Sequence, residues 1–399
     1  MFEAMLAGLA LGFAELTKFT LLIFYPLFIA LWLLYRKPTV EQLKQISVTF
    51  LISIFIINAG YLFEGTFTPI GQFKFQTALF TGYDNYKDVP GGGGNRLTHS
   101  ILGYIPLPLP VNYIQGIDTQ RLDFERGLPS YLRGEWSNHG WRSYYLYALL
   151  LKTPLGTLGL FLLAIYCTFF IKNCNSPWRD EMVVLLPGIV LLAFVSSQTG
   201  FSIHSRYIIP ALPFFFVWMS KVGQCFVLRK KCLSVVVSAL MVWSIFSSLW
   251  MYPHSLSYFN ELALIIPTPL ESRSPQEPAG TSSIVSILNA GARNGGRHLL
   301  DSNIDWGQNL FYLEKWCAAH PEVTNISVAL WGSYPAEQTT IPITKTMPPA
   351  NNPQAGWYAL SVNYLYDRDK QYRYFLNIKP AARIGYSVYV YHITEDDVK

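Results

Sequence analysis

Apolar runs near the ~20 residues that a helix needs to cross a bilayer recur through the first 250 positions. They fall near 19–35, 46–63, 155–171, 182–198, 206–221 and 232–250, with a shorter one near 4–17. Such runs must share one very large core or lie in lipid, and composition favours lipid. Only 14% of the residues are charged and 51% are hydrophobic, whereas a soluble domain carries roughly 25% charged residues. The expected fold is an α-helical polytopic membrane protein of about seven membrane segments. Residues 1–251 form its core, with an outer loop near 64–154, and 252–399 form a separate soluble α/β domain.

Orientation follows from the basic residues of the short connections. Arg36, Lys37 and Lys44 mark the first, Lys172 and Arg179 the second, and Lys221, Arg229, Lys230 and Lys231 the third. Positive residues stay on the cytoplasmic side, so the loop and the carboxy-terminal domain are expected outside an inner (plasma) membrane. The net charge of +5 is dispersed, which leaves no basic face for nucleic acid. Cys167, Cys174, Cys225, Cys232 and Cys317 lack metal-ligand spacing, so no metal or cofactor is expected. The absence of G-x-S-x-G, Walker, H-E-x-x-H and G-x-G-x-x-G patterns argues against soluble nucleotide or protease chemistry. No paired repeat of interrupted helices suggests a transporter.

In the carboxy-terminal part, 272–283 reads as a linker and 305–319 as a helix. "RHLLDSN", "ISVALWG", "GWYALSV" and "SVYVYHI" read as strands. Asp301, Asn303 and Asp305 imitate a calcium loop, but Trp306 stands where Gly is needed and Tyr312 where Glu is needed. Asp305 with Gln308 instead fits a capping pair. In the outer loop, Gly91–Gly94 read as a flexible connector.

Charged and small residues inside the apolar runs carry the functional signal. Ala4, Gly8 and Gly12 form a stripe that admits a close helix neighbour. Glu15 and Lys18 are one turn apart and can pair, at a turn where Lys18 either anchors the helix or meets an anionic ligand. His204, Arg206 and Tyr207 sit at the mouth of a proline-broken helix. Arg binds phosphate with two parallel donors, although an aromatic and basic interfacial anchor looks the same in sequence. Arg142 and Lys152 flank an aromatic cluster in "RGEWSNHGWRSYYLYALLLKTPLG", suited to a sugar against aromatic faces and a phosphate against cations. Thr153 and Pro154 there read as an N-cap and first helical residue.

Four stretches, "AGLALGFAELTKFT", "YLRGEWSNHGWRSYYLYALLLKTPLG", "HSRYIIPALPFFF" and "YFNELA…HLLDSNIDWGQNL", together resemble bacterial membrane glycosyltransferases of family 39. These are relatives of protein O-mannosyltransferases and lipid A aminoarabinose transferases, with a GT-C-type core. The resemblance covers most of the chain and lies in the order of the stretches. It implies transfer of a sugar from a polyprenyl-phosphate-linked donor to a lipid, glycan or protein acceptor at the outer membrane face. Lys18, Arg142, Lys152, His204, Arg206 and Tyr207 then become the expected donor-phosphate side. Family members carry further helices and an acidic first outer loop, the source of the general base, ahead of the "GLALG…TK" helix. Here that helix begins at Met1, so the base has no matching position. The expectation is a truncated chain, a separate polypeptide supplying the missing half, or lost catalysis. A membrane-anchored protein that binds glycans or partners without catalysis is the alternative.

Overall fold

The computed structural model describes residues 1–35, 39–171, 176–269, 284–349 and 353–395. Arg36, Lys37, Lys172, Cys174 and the 272–283 linker lie outside them. Among the described residues, four helices are long and apolar enough to cross a membrane. They are Val40–Gly60, Trp178–Ser197, Ser205–Val227 and Lys231–Trp250. Leu51, Phe55, Val235 and Leu249 are exposed along them, which fits a membrane protein.

The other expected spans differ for local reasons. Phe2–Thr17 has 16 residues, about 24 Å of helix against a ~30 Å hydrocarbon core. The 19–35 run begins with a 3-10 turn, Phe19–Ile23, leaving a 12-residue helix, Phe24–Tyr35. Leu155–Phe170 also has 16 residues and joins Tyr144–Lys152 across a 112° bend. Thr153 and Pro154 make that bend: both are extended, and Pro154, not Thr153, is the N-cap.

Contacts divide the chain into two compact units. The first comprises Met1–Leu128, Ser176–Phe201 and Ile208–Trp218. In it Phe2–Thr17 lies on Val40–Gly60, and the small-residue stripe is the contact. A Cβ at Gly8 would fall 2.6 Å from the Thr49 carbonyl oxygen, and one at Gly12 2.6 Å from the Ile56 Cβ. Glu15 is buried and accepts a hydrogen bond from the Tyr113 hydroxyl at 3.3 Å. The expected Glu15–Lys18 face is broken because Lys18 leaves the helix in extended conformation. The Gly91–Gly94 run is held rather than loose. Gly93 takes a φ of +75°, and Gly94 exchanges two 2.9 Å backbone hydrogen bonds with Phe75.

The second unit comprises Pro129–Asn175, Ser202–Tyr207 and Met219–Lys399. A hairpin, β1 (Ser130–Leu132) and β2 (Glu135–Ser137), opens it. A five-stranded sheet closes it, from β3 (Ile326–Ala329), β4 (Ile343–Thr346), β5 (Gly356–Ser361), β6 (Ala382–Ile384) and β7 (Val388–Ile393). The strand order is β4-β3-β5-β7-β6. β4, β3 and β5 run parallel, whereas β7 is antiparallel to both β5 and β6. One face packs Val328, Ala359, Val388 and Val390 against Leu310, Leu313 and Cys317 of the Leu310–Ala319 helix. Successive strand residues point to opposite faces, and the other face carries Tyr358 and Tyr391 against Phe375.

Three of the four expected strands are present. "RHLLDSN" is not one: it forms the 3-10 turns Gly295–Arg297 and Asp301–Asn303. Leu299 and Leu300 are buried there, which imitates a strand pattern. Asp301 at φ +60° turns the chain, and its carboxylate accepts from the Ser302 amide at 2.6 Å. Short polar side chains bonding the nearby main chain compete with a ladder in this way. The expected 305–319 helix starts at Leu310. Asp305 and Gln308 instead cap the turn before it, accepting from the Gly307 and Trp306 amides.

Candidate functional site

Inside the second unit, Asn303 draws together chain segments far apart in sequence. Its side-chain amide donates to the Tyr144 hydroxyl at 2.9 Å and to the carbonyls of Ile203 and Leu300 at 2.8 and 2.6 Å. Its side-chain oxygen accepts from the Ser205 amide at 2.8 Å. Its own carbonyl accepts from Lys152 Nζ at 2.7 Å. Asn303 is buried, and a buried amide that lost these partners would leave several groups unsatisfied.

His204 sits on this scaffold. Its Nδ1 lies 3.1 Å from the Asp301 carboxylate and 2.6 Å from the Ser302 hydroxyl. Its ring stacks on Tyr207 at 6.0 Å and meets Trp306 edge to face at 6.2 Å. His204 is buried, while the Asp301 side chain is 23% exposed, so the pair reaches the surface through its carboxylate. Asp301 holds left-handed backbone, which Asp tolerates better than most residues. The Asn363 side chain fixes it by accepting from the Asp301 amide at 2.8 Å.

The expected phosphate-side residues divide by position. His204, Arg206 and Tyr207 share one short segment, with Arg206 exposed and its guanidinium 5.7 Å from the Tyr207 ring centre. Lys152 faces inward. It donates to the carbonyls of Leu256 and Asn303, both at 2.7 Å, and lies 4.4 Å from the Phe259 ring centre. Arg142 is exposed, two residues before the Tyr144–Lys152 helix. Lys18 belongs to the first unit, where it ends Phe2–Thr17.

Several residues emerge only in three dimensions. His298 is buried, with Nε2 2.7 Å from the Ala263 carbonyl and Nδ1 2.6 Å from the Tyr147 hydroxyl. A carbonyl only accepts, so Nε2 carries the proton and Nδ1 accepts from Tyr147. Asp305 lies buried between the Ser361 hydroxyl and the Gly307 amide, and burial pushes its carboxyl up to about 6. No local spacing announces either role. Among the described residues, no group of three or more His, Cys, Asp or Glu could hold a metal ion.

The cluster therefore offers an oriented imidazole, a surface-reaching carboxylate and an exposed guanidinium on a rigid buried frame. Cationic and imidazole donors suit an anionic oxygen ligand, and a carboxylate suits a hydroxyl or an amine. No protein-family model, curated protein or solved structure matches the chain.

Proposed function

We propose that this chain acts in glycosyl transfer from a polyprenyl-phosphate-linked sugar, supplying the side of the site that holds the donor phosphate. The observation that carries this reading is the convergence of three of the resembling stretches. Tyr144 and Lys152, then Ser205 and His204, then Asp301 and Asn303 belong to one polar cluster, and Tyr207 packs on the His204 ring with Arg206 over its own ring. In this reading the departing lipid phosphate accumulates negative charge, which the Arg206 guanidinium stabilises together with the Nε2–H of a His204 ring protonated on both nitrogens. The Asp301 carboxylate orients the His204 ring. Tyr207 presents a ring to both.

In this reading the chain lies in an inner (plasma) membrane, the cluster opens on the outer face, and the second unit's sheet is extracytoplasmic. The acceptor is a lipid, glycan or protein hydroxyl or amine. The general base is left unassigned.

The test is binding of a polyprenyl phosphate to the full chain in phospholipid nanodiscs. Arg206→Ala and His204→Ala are each expected to weaken binding about tenfold, the loss of one charge-assisted contact. Wild-type affinity in both variants, or no binding by the parent chain, overturns the reading.

A further inference from the structure

Parallel sheets hold ligands outside the carboxyl ends of their strands, at the point where strand order reverses. The sheet of the second unit has one such point. The chain leaves β3 for β4 on one side and returns to β5 on the other. At that end lies a cavity of about 490 Å³, within the ~300–1,000 Å³ usual for ligand pockets. Leu330–Pro335 after β3, Met347 after β4 and Tyr364 after β5 line it, so all three parallel strands contribute.

The lining has a distinct chemistry. Trp306, Trp331, Tyr334 and Tyr364 supply aromatic surface, and Ser333, Thr346 and Glu337 supply polar groups. Trp306 and Tyr334 are exposed. Trp331 and Tyr364 meet edge to face at 5.6 Å, making a corner instead of enclosing a gap. Two chain segments cross at the floor without side chains. Gly332 has a φ of +145°, and a Cβ there would lie 2.9 Å from the Gly307 Cα. Among the described residues that line the cavity there is no Lys, Arg or His, so a phosphate or nucleotide would meet only an anionic carboxylate.

We propose that this cavity binds a neutral sugar ring of a glycan. A pyranose presents apolar C–H faces, which aromatic rings cover. Its rim of hydroxyls donates to a carboxylate through charge-assisted hydrogen bonds. Trp331 and Tyr334 are the stacking surfaces, and Glu337 is the hydroxyl acceptor. An ammonium ligand would need rings closed around it, which the Trp331–Tyr364 corner does not provide.

The experiment is saturation-transfer NMR on the full chain in phospholipid nanodiscs. The probes are methyl glycosides of glucose, mannose, galactose and N-acetylglucosamine, with tetramethylammonium as a separate probe. The parent chain is expected to bind at least one glycoside. Tyr334→Ala and Glu337→Gln, both at exposed positions, are expected to weaken it about tenfold, and Trp331→Ala to abolish it. No glycoside binding, equal binding by all three variants, or binding of tetramethylammonium alone each overturns the proposal. The readout is direct glycoside binding, so its failure leaves the polyprenyl-phosphate reading standing, and the reverse also holds.

Discussion

One nitrogen of His204 serves two partners: Nδ1 is 3.1 Å from the Asp301 carboxylate and 2.6 Å from the Ser302 hydroxyl. In a nucleophilic triad the acid and the serine occupy opposite ring nitrogens, so the base can take the hydroxyl proton. Here the carboxylate calls for a proton on Nδ1, which leaves the Ser302 oxygen as an acceptor. Ser302 is therefore not an activated nucleophile. A fluorophosphonate probe is expected to leave Ser302 unlabelled, read by peptide mass spectrometry, and labelling there would refute this assignment.

Lys152 and Arg206 are both cations of the resembling stretches, yet they should fail differently. Lys152→Met removes the donor to the part-buried Leu256 and Asn303 carbonyls, at a cost of about 1–3 kcal/mol. Arg206→Ala removes an exposed side chain that lies over the Tyr207 ring and should cost no more than about 1 kcal/mol. Denaturant unfolding in detergent, followed by tryptophan fluorescence, separates the two.

Asn303 is the more severe case. Replacing it with Ala removes one acceptor and the donor to three oxygens in a buried setting. A loss of about 3 kcal/mol or more is expected. Asn303→Asp should do no better, because a carboxylate cannot donate to the carbonyls of Ile203 and Leu300. Thermal unfolding of both variants checks this.

Asp305 links stability to pH. Its carboxyl is raised from 3.8 to about 6 by burial, a shift opposed by the Ser361 and Gly307 hydrogen bonds. A carboxyl raised on folding favours the native state fully below about pH 4, and that contribution is lost as pH rises through about 6. The swing is of order 3 kcal/mol. Asp305→Asn cannot ionise, so its unfolding free energy should lack the part of the parent's pH dependence that lies between about 4 and 6. Identical profiles for parent and variant would refute this.

Gly332 tolerates no side chain. Its φ of +145° and the approach of Gly307 mean that Gly332→Ala combines backbone strain with a main-chain clash. A cost of about 2–3 kcal/mol is expected, measured as a lowered unfolding midpoint. Gly91→Ala is a control, because nothing lies within 4 Å of its Cβ position.

The strands β3, β5 and β7 were legible in sequence because their apolar residues sit between turn signals over four to six positions. The "RHLLDSN" stretch misled because burial of Leu299 and Leu300 looks the same in a strand and in a turn threaded through a core. Span lengths were read from hydropathy, which broke the runs at Lys18 and at Thr153–Pro154 but did not register the 3-10 turn Phe19–Ile23 or the 112° bend. The cations were visible as residue types, but not their direction. Lys152 turns inward because two carbonyls await it more than 100 residues later. The sheet pocket was invisible, since its walls come from turns after three strands whose order in space no local pattern encodes.

The 112° bend after Lys152 has a consequence for how the chain is assembled. The Asn260 side chain donates to the Leu150 and Thr153 carbonyls, and its amide donates to the Leu151 carbonyl. Those acceptors have no such donors until residue 260 has been synthesised, after the Lys231–Trp250 helix has emerged. Until then, nothing from the 256–260 segment holds Tyr144–Lys152 at its angle to Leu155–Phe170. Thr153 and Pro154 set the bend locally, and the contacts that hold it come only late in synthesis.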